Sequence, residues 1–217
     1  GDDFWKEAIS AQLDKVQHMS NLYYTSPCAD LAEMLCTRTG MKKVFFSNSG
    51  AEANECAIKV ARKYAAEKKG PEYSTIVTLK NSFHGRTPTT LAATGQEHYH
   101  ELYQPLTPGF VSIDTDDIHQ LEEIAASTKI AAIMVECIQG EGGVNALDKD
   151  YVDAVYRLCA EKDVLVIADE VQTGVGRTGK FLAGDNFGKK ADITTLAKGI
   201  AGGVPMGACL TNDKCSG

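Results

Sequence analysis

Three side chains near the middle of the second half of the chain have the types and placement for chemistry. Val164-Leu-Val-Ile-Ala168 is a short β-rich apolar run that stops on two acids, Asp169 and Glu170. Asp192-Ile-Thr-Thr-Leu-Ala197 is a second β-leaning run, and it ends on a lone lysine, Lys198, followed by glycine. A buried strand that ends on a carboxylate delivers it to the carboxyl edge of a sheet, where α/β proteins hold their ligands. An acid and an amine at one such edge suit proton transfer and covalent capture of a carbonyl compound by the amine.

Ser47-Asn-Ser-Gly-Ala-Glu-Ala-Asn54 adds a third part. It follows a strand-like run and opens a helical one, so Ser49, Gly50 and Ala51 fall at a helix N-terminus, where free N–H groups and the helix dipole attract an anion. An ordinary cap at Asn48 or Ser49 with Glu52 in the first turn explains the serine and the glutamate. It leaves the two small residues unexplained, whereas a phosphate approaching the backbone requires them. A phosphate cup, a strand-end acid and an unpaired lysine together match the needs of pyridoxal phosphate. A lysine holds its aldehyde, an anion site its phosphate, and a carboxylate keeps its ring nitrogen protonated.

Gly174-Val-Gly-Arg-Thr-Gly179 competes as a string. It fits the dinucleotide fingerprint Gly-x-Gly-x-x-Gly, and Gly174, Gly179 and Lys180 fit most of a P-loop. The context disagrees with both. Phe181 stands where a P-loop needs a hydroxyl for its metal, and the turn-like Phe-Leu-Ala-Gly-Asp-Asn-Phe-Gly188 replaces the helix that either motif opens.

The elements that position these residues alternate. Strand-like runs occur at Lys43–Ser47, Ser74–Leu79, Phe110–Ile113, Ile130–Glu136, Val164–Asp169, Ile193–Leu196 and Gly207–Thr211. Helical patterns fill several intervals: an amphipathic stretch with Phe4, Trp5, Ala8, Ile9, Leu13 and Val16 at helical spacing, then Ala29–Gly40, a long helix from Asn48 to about Lys69, Thr115–Ser127 and Asp150–Lys162. Gly40 suits a helix C-cap, and Ser20–Pro27 reads as a loop rich in turn residues. This alternation predicts βαβ units and an α/β fold with a mostly parallel seven-stranded sheet flanked by helices, in one domain over residues 1–217.

The chain has 217 residues and a net charge of −7, which argues against nucleic acid or an anionic membrane as the main partner. Its longest apolar run, Ile130–Val135, is too short to span a bilayer. The seven cysteines (28, 36, 56, 137, 159, 209 and 215) include no Cys-x-x-Cys pair and read as reduced thiols of a cytoplasmic protein, with no metal site expected. His98-Tyr-His100 reads as a surface turn. Both ends look cut, the first inside a helical pattern and the last just past a strand.

Five motifs carry a family resemblance: Asn48–Glu55, Phe83-His-Gly-Arg-Thr87, Glu136-Cys-Ile-Gln-Gly-Glu-Gly-Gly143, Asp169–Gly179, and Leu196-Ala-Lys-Gly with Gly202-Gly-Val-Pro-Met-Gly-Ala208. Over essentially its whole length the chain resembles the class III aminotransferases of fold type I, and Ser20-Asn-Leu-Tyr-Tyr24 leans the same way. The resemblance implies that Lys198 holds pyridoxal phosphate and shuttles the proton, with Asp169 paired to the ring nitrogen. It implies Gln172 on the phenolic oxygen, Val171 and Phe83 on the two ring faces, and Ser49, Gly50 and Ala51 around the phosphate. Arg86 is expected to bind the substrate α-carboxylate, and Glu141 to pair with an arginine beyond residue 217. His84 is expected to be a turn residue. Pro88 and Cys137 depart from the family pattern, and Pro88 is expected to restrict Thr87 and to disturb Arg86.

The implied reaction moves the δ-amine of N-acetylornithine to 2-oxoglutarate, as in arginine biosynthesis, by a homodimeric enzyme. Ornithine, succinylornithine and 4-aminobutyrate are the alternative donors. The family's N-terminal segment and C-terminal small domain have no counterpart in the sequence, so the chain reads as a large-domain fragment, and a folded piece without a complete site is the non-enzymatic alternative.

Overall fold

The computed structural model describes residues 1–20 and 22–216, so Asn21 of the Ser20–Tyr24 string lies outside the described residues. The order of elements is α1 (Asp3–Leu13), α2 (Ser26–Thr39), β1 (Lys43–Ser47), α3 (Gly50–Lys68), β2 (Thr75–Leu79), α4 (Pro88–Ala93), β3 (Phe110–Ile113), α5 (Ile118–Ser127) and β4 (Ile130–Val135). It continues with β5 (Ile138–Gln139), β6 (Asn145–Ala146), α6 (Lys149–Lys162), β7 (Leu165–Asp169), β8 (Ile193–Leu196) and β9 (Gly207–Thr211). All seven expected strands form one sheet in the order β1-β9-β8-β7-β4-β2-β3. β8, β7, β4, β2 and β3 pair in parallel, and β9 runs against both of its neighbours. The α/β, mostly parallel expectation is met.

β4, β7, β8 and β9 are buried on both faces, and β4 and β7 accordingly read as continuous apolar runs. Along β7, Leu165 and Ile167 pack with α3, while Val166 and Ala168 face the opposite core with α5 and α6. α3 lies on the sheet through a stripe of Ala53, Ala57, Ala61 and Ala65, each at most 1% exposed. On β4, next to the central strand β7, Ile133 is fully buried. Ile133→Val should lower the unfolding free energy by about 1 kcal/mol, through one lost methyl group and a small cavity, as read by denaturant titration.

One local expectation is corrected and two are sharpened. α2 begins at Ser26, because Pro27 in the first turn needs no N–H partner and Thr25 before it is extended. Pro88 likewise begins a short helix, α4: Thr87 is its extended N-cap, and its hydroxyl and that of Thr90 reciprocally bond the two backbone N–H groups. The proline therefore sets the start of α4. α1 is helical as expected and buries none of its residues; Phe4 is 82% and Leu13 56% exposed.

Candidate active site

Parallel pairing brings the strand ends to one edge. Ala168 lies opposite Val135, and Asp169 opposite Thr195. Glu136, Asp169 and Lys198 therefore follow neighbouring strands at the same end of the sheet, joined there by Ser49 after β1. A cavity of about 510 Å³ opens at this edge. Ser49, Gly50 and Ala51 line it, as do Phe83, Arg86 and Glu141. So do Asp169, Val171, Gln172 and Lys198, which brings together all ten residues singled out in the sequence.

At one wall, the Ser49 hydroxyl accepts the Glu52 N–H at 3.2 Å, and the Glu52 carboxylate reaches back to the Asn48 N–H at 2.6 Å. The ordinary cap is therefore present. It leaves the N–H groups of Gly50 and Ala51 without a partner among the described residues, at the positive end of a 19-residue helix. Gly50 also admits Val171, since a Cβ at position 50 would stand 2.7 Å from a Val171 methyl carbon. Gly140 makes room for Gln172 in the same way: a Cβ there would overlap its carboxamide.

Asp169 is 4% exposed and fully engaged. One oxygen accepts the Val171 N–H at 3.0 Å; the other accepts Asn54 Nδ2 at 2.8 Å and meets His84 Nδ1 at 2.8 Å. His84 is thus a buried partner of the strand-end acid, not a turn residue. Burial by itself would lower its pKa, but the hydrogen bond and charge of Asp169, with the charge of Glu136, prevail and raise it. Asn54 Oδ1 and His84 Nε2 are among the buried side-chain atoms that have no hydrogen-bond partner among the described residues.

Glu136, also 4% exposed, accepts the Phe83 N–H at 2.9 Å. Burial first, and then the charge of Asp169, outweigh the His84 charge and push its carboxyl up to about 7. The stability consequence has a definite sign. Between the ordinary value of 4.5 and about 7, the folded protein retains a proton on Glu136 that the unfolded chain has released. Unfolding free energy therefore falls as pH rises through that window, and His84 continues the fall as pH passes its own raised value. Glu136→Gln should flatten this decline. Denaturant midpoints at about pH 5 and about pH 8 would differ less than in the wild type.

Glu170, the second acid, has a structural task. Its carboxylate accepts the Thr173 hydroxyl at 2.5 Å and the N–H groups of Ala183 and Gly184 at 2.9 Å each. These bonds fasten the glycine-rich loop from Val171 to Leu182 to the end of β7. After Gly179 comes only a 3₁₀ turn, Ala183–Phe187, so neither nucleotide motif finds its helix.

Lys198 follows β8 with φ +49, in the left-handed region that non-glycine residues seldom occupy. Its amine makes no hydrogen bond or ion pair among the described residues. Arg86, exposed at the cavity mouth, stacks 5.8 Å from the Phe83 ring centre and 6.0 Å from that of Tyr99. Glu141 accepts the Tyr99 hydroxyl at 2.8 Å and also the Gln96 side-chain amide. Asn54, His84, Glu136, Gln96 and Tyr99 escaped the sequence reading. Only Glu136 carried a signal there, being an acid directly after a strand, like Asp169.

The profile of the family described as aminotransferase class III matches residues 5–217. The chain belongs to the class III aminotransferases. An acetylornithine aminotransferase of Haemophilus ducreyi is 54% identical over 213 residues, covering 98% of this chain and 54% of the relative. That of Methanocaldococcus jannaschii is 49% identical, covering 96% and 52%. Among solved structures, the ornithine aminotransferase of Toxoplasma gondii superposes with a TM-score of 0.93 at 34% identity, covering 99% of this chain and 51% of that one. The N-acetylornithine aminotransferase of Stenotrophomonas maltophilia does so with a TM-score of 0.85 at 37% identity, covering 99% and 54%. The chain spans about half the length of the curated relatives it matches.

Pyridoxal phosphate, the cofactor that the family implies, fits the residues present. The cavity offers an unpaired amine, a carboxylate locked by three contacts, and two unpartnered N–H groups at a helix N-terminus.

Proposed function

We propose that residues 1–217 are the large, cofactor-binding domain of a longer pyridoxal phosphate-dependent aminotransferase. The enzyme would transfer the δ-amino group of N-acetylornithine to 2-oxoglutarate, a step of arginine biosynthesis. The observation that carries the reading is the single cavity shared by Lys198, Asp169 and the N-terminus of α3. The solved Toxoplasma gondii relative is described with pyridoxal phosphate at partial occupancy in its active site, which supports the cofactor. Relatives named for acetylornithine reach 54% identity, against 34% for that ornithine enzyme, which supports the donor.

When bound, the cofactor supplies an electrophilic carbonyl and a protonated ring that takes up electron density. Lys198 Nζ would hold it covalently and, once released, would carry the proton from the substrate carbon to the carbon by which the cofactor had been held. Asp169, kept in place by Asn54, His84 and the Val171 N–H, sets a carboxylate against the ring nitrogen. The Gly50 and Ala51 N–H groups, with Ser49, bind the phosphate. Gln172 bonds the phenolic oxygen, and Phe83 and Val171 confine the ring. Arg86 offers its planar fork to the substrate α-carboxylate. Glu141 supplies the opposite charge that the cavity needs when its arginine partner is to be neutralised.

A cytoplasmic homodimer is part of the proposal. The exposed Phe4, Leu13, Leu22, Tyr23 and Tyr24 offer an apolar surface for a second copy. Side-by-side turnover tests the donor: N-acetylornithine should be the faster substrate, and a preference for free ornithine would overturn the assignment.

A further inference from the structure

Two opposite charges stand at the cavity mouth without pairing. Arg86 and Glu141 both line the cavity, and the arginine charge is felt at the glutamate, yet no ion pair joins them among the described residues. Each is engaged by the same neighbour. The Tyr99 hydroxyl donates to Glu141 Oε1 at 2.8 Å, while the face of its ring lies 6.0 Å from the Arg86 guanidinium. Gln96 Nε2 donates to the other Glu141 oxygen, and also to the Ser82 carbonyl at 3.2 Å, which ties the glutamate to the segment before Phe83. Tyr99 itself is braced edge-on against Phe83, ring centres 5.5 Å apart.

We propose that Tyr99 and Gln96 are positioning residues that hold Glu141 off Arg86, so that the guanidinium stays open to a substrate carboxylate. A freed glutamate would be an internal competitor. It carries the same planar carboxylate as the substrate and is tethered beside the same Tyr99 side chain on which the arginine packs. Two neutral donors satisfy the two Glu141 oxygens, and the Phe83 and Tyr99 rings steady Arg86. The hydrogen bonds from Gln96 and then Tyr99 hold the Glu141 carboxyl below the ordinary carboxylate range, so it remains an anion and a constant competitor if released. This inference rests on Arg86 as the carboxylate site of the proposed function.

The test is calorimetric titration of the holoenzyme with glutarate, a dicarboxylate that carries no reacting group. Tyr99→Phe keeps the ring and removes the hydroxyl, and should weaken glutarate binding about tenfold, the scale of one lost hydrogen bond to a charged group. Gln96→Leu should act in the same direction. The decisive comparison is made in a Glu141→Gln background, in which the competitor has lost its charge: there, adding Tyr99→Phe should leave glutarate affinity within about twofold of Glu141→Gln alone. Unchanged affinity in both Tyr99→Phe and Gln96→Leu would overturn the inference. A Tyr99→Phe weakening of the same size in the Glu141→Gln background would also overturn it, since it would mark a merely structural contact. An Arg86→Leu control separates the two readings. If it leaves glutarate binding intact, Arg86 is not the carboxylate site and the parent assignment fails instead.

Discussion

Lys198→Ala should reduce transamination by at least about 10⁴-fold while leaving the fold intact. The amine is proposed to serve both as the covalent holder of the cofactor and as the proton carrier, and general acid–base catalysis alone contributes about 10² to 10⁴. Nothing else in the cavity can take over, because Lys198 is the lysine among its lining residues. The side chain is exposed and makes no hydrogen bond or ion pair, so its loss should change unfolding free energy by less than about 0.5 kcal/mol. Single-turnover kinetics and denaturant titration on one preparation read both effects. Substantial residual turnover would remove Lys198 from the chemistry.

Asp169→Asn should damage both activity and stability. A carboxylate accepts from all three of its contacts; an amide must point its NH₂ at one of Asn54 Nδ2, His84 Nδ1 or the Val171 N–H. At least one buried donor then faces a donor, and a buried His84 loses the charge that raised its pKa. Removing one partner of a buried pair costs about 3–5 kcal/mol. Turnover should fall about 10³-fold, the scale seen when a preorganised electrostatic partner is withdrawn. Pyridoxal phosphate should still attach, because Lys198 is untouched. A variant that is destabilised but fully active would show that the Asp169 cluster serves only the fold.

Much of this arrangement could be read from the chain because it depends on local pattern. Apolar runs ending on Asp169 and before Lys198 defined strands, and parallel pairing then fixed the edge at which both residues emerge. The small residues after Ser49 marked the open N-terminus of α3. His84 could not be read, because its partner is 85 residues away and only the packing of β7 against the Phe83 segment makes the 2.8 Å contact. Asn54 was quoted as part of a motif, yet its side chain points back under the cavity to Asp169 across 115 residues. Pro88 holds Thr87 extended, as its ring predicts, and at a helix N-terminus its missing N–H is harmless. The apolar periodicity of α1 established its helix, but periodicity does not reveal whether that face has a partner within the same chain. The Tyr99 and Gln96 contacts to Glu141 were equally out of reach, since they join a 3₁₀ turn to a loop more than 40 residues later.

The central claim is that Lys198 is the point of covalent attachment in the cavity shared with Asp169. The most direct test is to load the protein with pyridoxal phosphate, reduce it with borohydride, digest it and map the adduct by mass spectrometry. The expected result is one cofactor per chain, on the peptide containing Lys198 and on no other lysine. An adduct on a different lysine, or no adduct after loading, would contradict it.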